Sequence, residues 1–341
     1  MARWGWIAWA LAGCAPTLED DTPYVDGPRL LAVQSRPAEA PAGEAVVVRG
    51  LFVDEAGEVA DAPVDWAFCL TRKPLAELGP VAPSCLEPGA DGLAPIGRGF
   101  EGGGAVPLDA CARFGPNPPA PEEGAPGGRP VDPDGTGGYY QPVLGFPDGS
   151  DPVLGAVRLR CGLANVSQEV YVAWNQGYRS NVAPEIAQMR RGPEGPELAP
   201  DGAGDALRVS VGEPVALEVG WAACPDSDAC GDGVCGVDEL ASVCPADCAQ
   251  AVGCAGAERY KVYEPSTGAL VTRREAISAT WYSTGGALAE ARNGVDGDVE
   301  GGEVGNTWTA PDVPGVHWLW VVLRDERGGV GWRGYEVEVG P

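Results

Sequence analysis

Six cysteines between Cys224 and Cys254 are the densest group of chemically competent side chains in the sequence. They begin as Cys224-Pro-Asp-Ser-Asp-Ala-Cys230-Gly-Asp-Gly-Val-Cys235, pass through Asp238-Glu239 to Cys244-Pro-Ala-Asp-Cys248, and close at Cys254. Asp226, Asp228, Asp232, Asp238, Glu239 and Asp247 supply hard oxygen donors of the kind calcium takes, and Gly231 and Gly233 permit tight turns. The spacing does not match the twelve-residue EF-hand loop, so the block reads either as a calcium site or as a disulfide knot with solvated acids. A segment this short holds too little apolar area for its own core, so disulfides must hold it together. Cys224 and Cys254 are expected to pair at its root and the inner four to cross-link, in an order that spacing does not dictate.

The remaining candidates for chemistry are few. His317 is the only histidine and lies in Val316-His-Trp-Leu-Trp-Val, where strand alternation puts it opposite Trp318 and Trp320. A serine triad would need His317, and there is no Gly-x-Ser-x-Gly elbow. Phosphate-loop, dinucleotide and metalloprotease-helix signatures are missing too, and Gly99-Phe-Glu-Gly-Gly-Gly has no strand-to-helix context. Any two of the 49 acids can meet in space, but nothing singles out a glycosidase-type pair. The second acidic run, Asp296-Gly-Asp298-Val-Glu300-Gly-Gly-Glu303, reads as a solvated hairpin loop. Tyr139, Tyr140 and Tyr178 sit in turn-rich segments and are the aromatic contact candidates. No catalytic residue is assigned.

The charge excludes whole classes of partner. With 49 acidic and 23 basic side chains the net charge is −26 over 341 residues, which argues against nucleic acid. The N-terminus carries a short basic start at Arg3, an apolar run from Trp4 to Ala12, and Leu11-Ala12-Gly13-Cys14. This run is too short to span a bilayer, which needs about 20 residues, and has the layout of an export signal. Leu-Ala-Gly-Cys resembles the lipobox of bacterial lipoproteins. The resemblance implies cleavage before Cys14, a lipid on its thiol and, with Ala15 rather than Asp next, an outer-membrane location. The other ten cysteines are then an even set in an oxidising compartment, read as five disulfides: Cys69, Cys85, Cys111 and Cys161 in the first half, and Cys224, Cys230, Cys235, Cys244, Cys248 and Cys254 in the block. A zinc site fits poorly, since thiols would be oxidised and only one histidine exists.

Positioning these residues falls to strands. Gly and Pro number 51 and 33, which argues against a helical bundle, and helical periodicity is nearly absent. Strand-type runs occur at 29–33, 45–53, 64–69, 157–161, 169–174, 207–211, 215–221, 260–263, 277–281, 317–323 and 335–339. Gly43-Glu44-Ala-Val46 is echoed by Gly212-Glu213-Pro-Val215, and Trp66 and Trp281 follow in the next-but-one segments. Asn306-Thr-Trp-Thr-Ala-Pro, the turn at Pro314-Gly315, His317 to Leu323 and Arg324-Asp-Glu-Arg-Gly-Gly329 together resemble the closing hairpin of bacterial Ig-like domains. The expected fold is all-β, with two Ig-like antiparallel β-sandwich domains in tandem. The expected layout is a signal peptide at 1–13, a lipidated flexible tether at 14–27, a first sandwich at 28–183 with a turn-dominated Pro/Gly-rich insertion at about 70–152, and a second at 184–341 carrying the Cys-rich insertion 224–254. Lipobox, Cys-rich block and Ig-like close resemble cell-envelope lipoproteins of GC-rich Gram-negative bacteria.

The expected function is non-catalytic: a lipid-anchored binding, adhesion or scaffold protein acting through loops of its Ig-like domains. The membrane is reached through the lipid, the ligand is an unidentified protein or glycan, and calcium is the one cofactor considered. The alternative is a secreted hydrolase, or an accessory domain of one, using Asp or Glu residues that the sequence does not mark.

Overall fold

A strand with one wet face alternates apolar and polar residues, whereas a strand covered on both faces reads as an unbroken apolar run. Both patterns occur within β2 (Ala45–Asp54). Its first half alternates, and from Gly50 to Val53 every residue is buried. The computed structural model describes residues 23–60, 63–74, 77–118, 133–148, 151–200, 206–224, 230–231, 235–239, 243–248 and 252–341. The signal-peptide and lipidation residues, Cys14 included, lie outside them.

The first sandwich contains β1 (Arg29–Arg36), β2, β3 (Gly57–Glu58), β4 (Val64–Cys69), β5 (Leu93–Gly99), β6 (Glu101–Ala105), β7 (Gly138–Pro147) and β8 (Val153–Arg160), with helix α1 (Ala110–Phe114) between β6 and β7. One sheet has β2 between β1 and β6, with β3 also paired to β2; the other runs β5-β4-β7-β8. Helix α2 (Gln168–Gln176) then leads to the second sandwich: β9 (Ile186–Arg191), β10 (Leu207–Ser210), β11 (Pro214–Trp221), the hairpin β12 (Arg259–Glu264) and β13 (Ala269–Arg274), β14 (Ile277–Ser283), β15 (Ala287–Leu288), β16 (Arg292–Val295), β17 (Glu303–Thr309), β18 (Gly315–Asp325) and β19 (Val330–Gly340). Its sheets run β15-β17-β11-β9 and β10-β19-β18-β14-β16. In the first unit β1 and β2 share a sheet and β7 and β8 pair in the other; in the second unit β9 and β11 share a sheet and β18 and β19 pair in the other, the Ig-like arrangement.

The echo in the sequence marks equivalent places. Gly43 lies in the turn into β2 and Gly212 in the turn into β11. Val106 N–H donates to Glu44 O as Ala310 N–H donates to Glu213 O. Trp66 on β4 and Trp281 on β14 are each buried in the core of their unit. The glycine run of β6 answers to Trp66: a Cβ on Gly102 would stand 2.5 Å from the Trp66 Cβ. Segment 38–40 bridges β8 in parallel at Glu39 and Arg158, as β10 pairs parallel with β19.

Three expectations are corrected. The 70–152 stretch, read as turn-dominated, contains β5, β6, β7 and α1, and β7 is an inner strand of its sheet between β4 and β8. Glu169 to Trp174, read as a strand, is helical. Ser167 Oγ accepts from Val170 N–H at 3.3 Å and Glu169 sits in the first turn, so the local cap outweighs the β-branched valines. Residues 23–25, placed in the flexible tether, are built onto β14: Val25 N–H donates to Ser283 O, Ser283 N–H to Pro23 O, and Val25 is fully buried.

The two sandwiches meet face to face. Leu31, Leu51 and Val53 of the first pack with Tyr282, Trp320 and Val322 of the second around Val25. The opposite faces of these strands serve the sandwich cores, with Val46, Val48 and Phe52 on one side and Leu319, Val321 and Leu323 on the other. This double coverage accounts for the unbroken apolar runs of β2 and β18.

Candidate functional site

Beside the apolar contact, the sandwiches are joined by a buried polar cluster. The parallel bridge at 38–40 turns Glu39 inward, where its carboxylate accepts from Arg158 Nε at 3.0 Å, from the Asn181 backbone N–H at 3.1 Å and from the Tyr178 hydroxyl. Gly138 makes room for Arg158, because a Cβ there would fall 2.0 Å from the guanidinium carbon. Asn181 Nδ2 reaches both Asp325 oxygens, and Asp325 Oδ1 also accepts from the N–H groups of Arg327 and Gly329, closing the β18–β19 turn. Arg327 pairs with Glu275 at 2.6 Å and with Glu258, and donates through Nη1 to Arg179 O at 3.1 Å. Arg179 in turn donates to the carbonyls of Cys235, Gly236 and Glu239 in the Cys-rich block.

Four carboxylates and three guanidiniums, all nearly or wholly buried, thus run from the first sandwich through Tyr178-Arg179-Ser180-Asn181 into the second and its insertion. Burial lifts Glu275 well above the usual carboxylate range and raises Asp325 as well. It also raises the Tyr178 hydroxyl, helped by the Glu39 charge. Burial opposes the charge on Arg158, but Tyr178 and Glu39 outweigh it and hold the guanidinium protonated. Arg327 is lowered to about 10 by burial and by the nearby Arg158.

The Cys-rich block is pinned at the same place. Cys224 pairs with Cys254, Cys230 with Cys244 and Cys235 with Cys248; in the first sandwich Cys69 pairs with Cys85 and Cys111 with Cys161. Of the calcium candidates, Asp226, Asp228 and Asp232 lie outside the described residues. Asp238 faces Lys261 Nζ at 2.5 Å and Arg259 at 3.5 Å. Glu239 turns inward, accepts from Gly236 N–H at 2.8 Å and lies against the two inner disulfides. The two adjacent acids therefore serve different partners. Asp247 accepts from Gly231 N–H.

Next to the cluster the two sandwiches, the 180–186 connection and the end of the insertion enclose a cleft of about 860 Å³. Four arginines line it: Arg36 (β1), Arg49 (β2), Arg160 (β8) and Arg333 (β19). Arg36 Nε and Arg49 Nε donate to the same oxygen, Gln34 Oε1, at 2.9 Å each. Gln34 also donates to Val330 O, locking β1 to β19, and the Arg49 guanidinium lies 4.5 Å above the Trp332 ring. Arg160 lies over the Tyr178 ring at 4.2 Å and donates to Asn175. Sequence reasoning did not single out these arginines, because they come from four strands and share no motif.

The other sequence candidates fall elsewhere. His317 sits near the start of β18, with Nε2 3.4 Å from Val313 O and no carboxylate partner among the described residues. Asp296, Asp298 and Glu300 are exposed in the loop between β16 and β17, and Glu303, at the start of β17, reaches Arg190 at 2.6 Å. Tyr139 and Tyr178 are buried, contrary to the expectation of exposed contact residues: Tyr139 joins the first core and Tyr178 serves Glu39. Tyr140 is partly exposed. No helix among the described residues is long and apolar enough to cross a membrane.

No family model and no curated protein matches the chain. Solved structures aligned with it include the D0-D1 domain of intimin, at 10% identity and TM-score 0.18, covering 90% of this chain and 95% of that one. The Yersinia pseudotuberculosis adhesin InvE aligns at 12% identity and TM-score 0.21, over 92% of this chain and 60% of that one. Fibronectin(III)-like modules of Clostridium thermocellum CbhA align at 8% identity and TM-score 0.20, over 90% and 94%. The Ig-like architecture rests on the strand order of the chain itself.

Proposed function

We propose that the protein is a lipid-anchored recognition module of the cell envelope, binding its ligand without chemical conversion at the junction of its two sandwiches. The supporting observation is the cleft. Both sandwiches and the disulfide-stapled insertion contribute walls to it, and the buried polar cluster fixes those walls relative to one another. Of the acids that line it, Glu39 is buried and engaged by Arg158, Tyr178 and Asn181, while Glu44 and Glu185 are exposed. A rigid, polar, preformed cleft suits recognition, because little ordering entropy opposes binding. The anchor is the Cys14 lipid, and Cys14→Ser is expected to abolish both membrane retention and palmitate labelling.

The test of recognition is an array of envelope glycans and peptides probed with the full chain in non-ionic detergent. Saturable binding with the ligand recovered chemically intact is expected. Recovery of cleaved ligand would move the protein to the hydrolase class.

A further inference from the structure

We propose that the cleft is an anion site, in which Arg36, Arg49 and Arg333 receive the carboxylate or phosphate groups of an acidic small ligand. The inference deepens the recognition reading and rests on it. The chain carries −26 overall, yet four arginines line this one cleft. The acids at its wall do not neutralise them: Glu39 is spent on Arg158, and Glu44 and Glu185 form no ion pair with them among the described residues. Arg36, Arg49 and Arg333 have no carboxylate within ion-pair distance among the described residues, whereas Arg98, Arg113, Arg190, Arg191 and Arg208 each have at least one.

The geometry is held rather than accidental. Gln34 accepts from Arg36 Nε and Arg49 Nε at 2.9 Å each, so the two nitrogens lie within twice that distance of each other. Gln34 is itself buried and tied to Val330. Using Nε on the amide leaves the terminal nitrogens of both forks uncommitted, and these are the groups that grip oxyanions in bidentate fashion. Burial and then Arg36 lower the proton affinity of Arg49, while Glu58 and Glu101 pull more weakly the other way. Two like charges facing a partly desolvated cleft are relieved by an entering anion. The cleft volume of about 860 Å³ is far larger than a single ion needs and suits an oligosaccharide or a phosphorylated sugar.

Isothermal titration of the full chain in non-ionic detergent, at low salt, tests this with three probes: trigalacturonate for carboxylates, glucose 6-phosphate for phosphate, and neutral maltotriose. At least one anionic probe is expected to bind and to weaken steeply with added salt, while maltotriose does not bind. Which anionic probe binds identifies the source of the oxyanion. Arg36→Gln combined with Arg333→Gln is expected to weaken binding at least tenfold, with the melting temperature unchanged; Arg98→Gln, at an exposed arginine that does not line the cleft, is expected to bind as wild type. The proposal is overturned if neither anion binds at millimolar concentration, if maltotriose binds equally, or if the double variant binds as tightly as wild type. Array binding that survives the double variant would leave recognition standing and remove the anion site.

Discussion

The two sandwiches are joined by two neighbouring contacts of opposite chemistry. One is apolar, with Leu31, Leu51 and Val53 against Tyr282, Trp320 and Val322. The other is a buried chain of charges from Glu39 and Arg158 to Asp325, Arg327, Glu275 and Glu258. The apolar contact is non-directional and tolerates small shifts, since its strength follows buried area. The polar one demands fixed geometry, because each buried charge must find its partner or its desolvation goes uncompensated. Their adjacency suggests a division of labour in which the apolar face supplies adhesion and the charges set the register of the halves, and with it the shape of the cleft.

Breaking the polar contact on one side has the largest expected effect. Arg158→Met strands the Glu39 carboxylate in the interior and should cost about 3–5 kcal/mol in denaturant unfolding. Replacing Glu39 and Arg158 together by methionine should recover most of that loss, while the cleft loses its defined shape and its binding. Full loss of stability in the double variant would mean that the charges themselves supply the adhesion. Leu51→Ala, at the apolar contact, should cost roughly 2–5 kcal/mol through lost burial and a residual cavity, and no partner substitution across the seam should rescue it.

Alkaline pH sharpens the comparison further. Tyr178 and Tyr260 both have hydroxyls raised above the ordinary tyrosine range, chiefly by burial, with Glu39 and Glu326 respectively adding to it. They therefore ionise first in the unfolded chain. Stability is fully present below about pH 10 and falls as pH rises beyond it. Tyr260→Phe removes only a bond to the exposed Glu326 and should flatten this alkaline fall, measured by thermal melts, with little change at neutral pH. The smallest effect is expected at Arg98, whose partners Asp65 and Asp148 are exposed: Arg98→Gln should leave the melting midpoint unchanged within error.

The two contacts also differ in how far the sequence discloses them. The unbroken apolar runs Gly50 to Val53 and Trp318 to Leu323 are visible as strands, and their lack of alternation is the mark of a second covered face. That the ten cysteines pair, that Trp66 and Trp281 enter the cores and where the Gly-Glu turns fall were legible as local patterns, but beyond Cys224 with Cys254 the partner of each cysteine was not. β6 was hidden because its glycines read as a loop until Trp66 is seen lying on Gly102. α2 was hidden because valines at 170 and 172 outweighed the Ser167 cap in a periodicity reading. Neither the polar cluster nor the arginine cleft has any local signature. Glu39 and Arg158 are 119 positions apart, and Asn181 and Asp325 are 144 apart. Such residues differ from any surface charge only through the topology that gathers them.

The central claim is that the paired contacts make the two sandwiches one unit with a preformed cleft. Differential scanning calorimetry of the non-reduced full chain tests it most directly. The account predicts a single transition whose calorimetric and van't Hoff enthalpies agree, and which Arg158→Met lowers as a whole. Two separable transitions, with Arg158→Met moving only one of them, would contradict it.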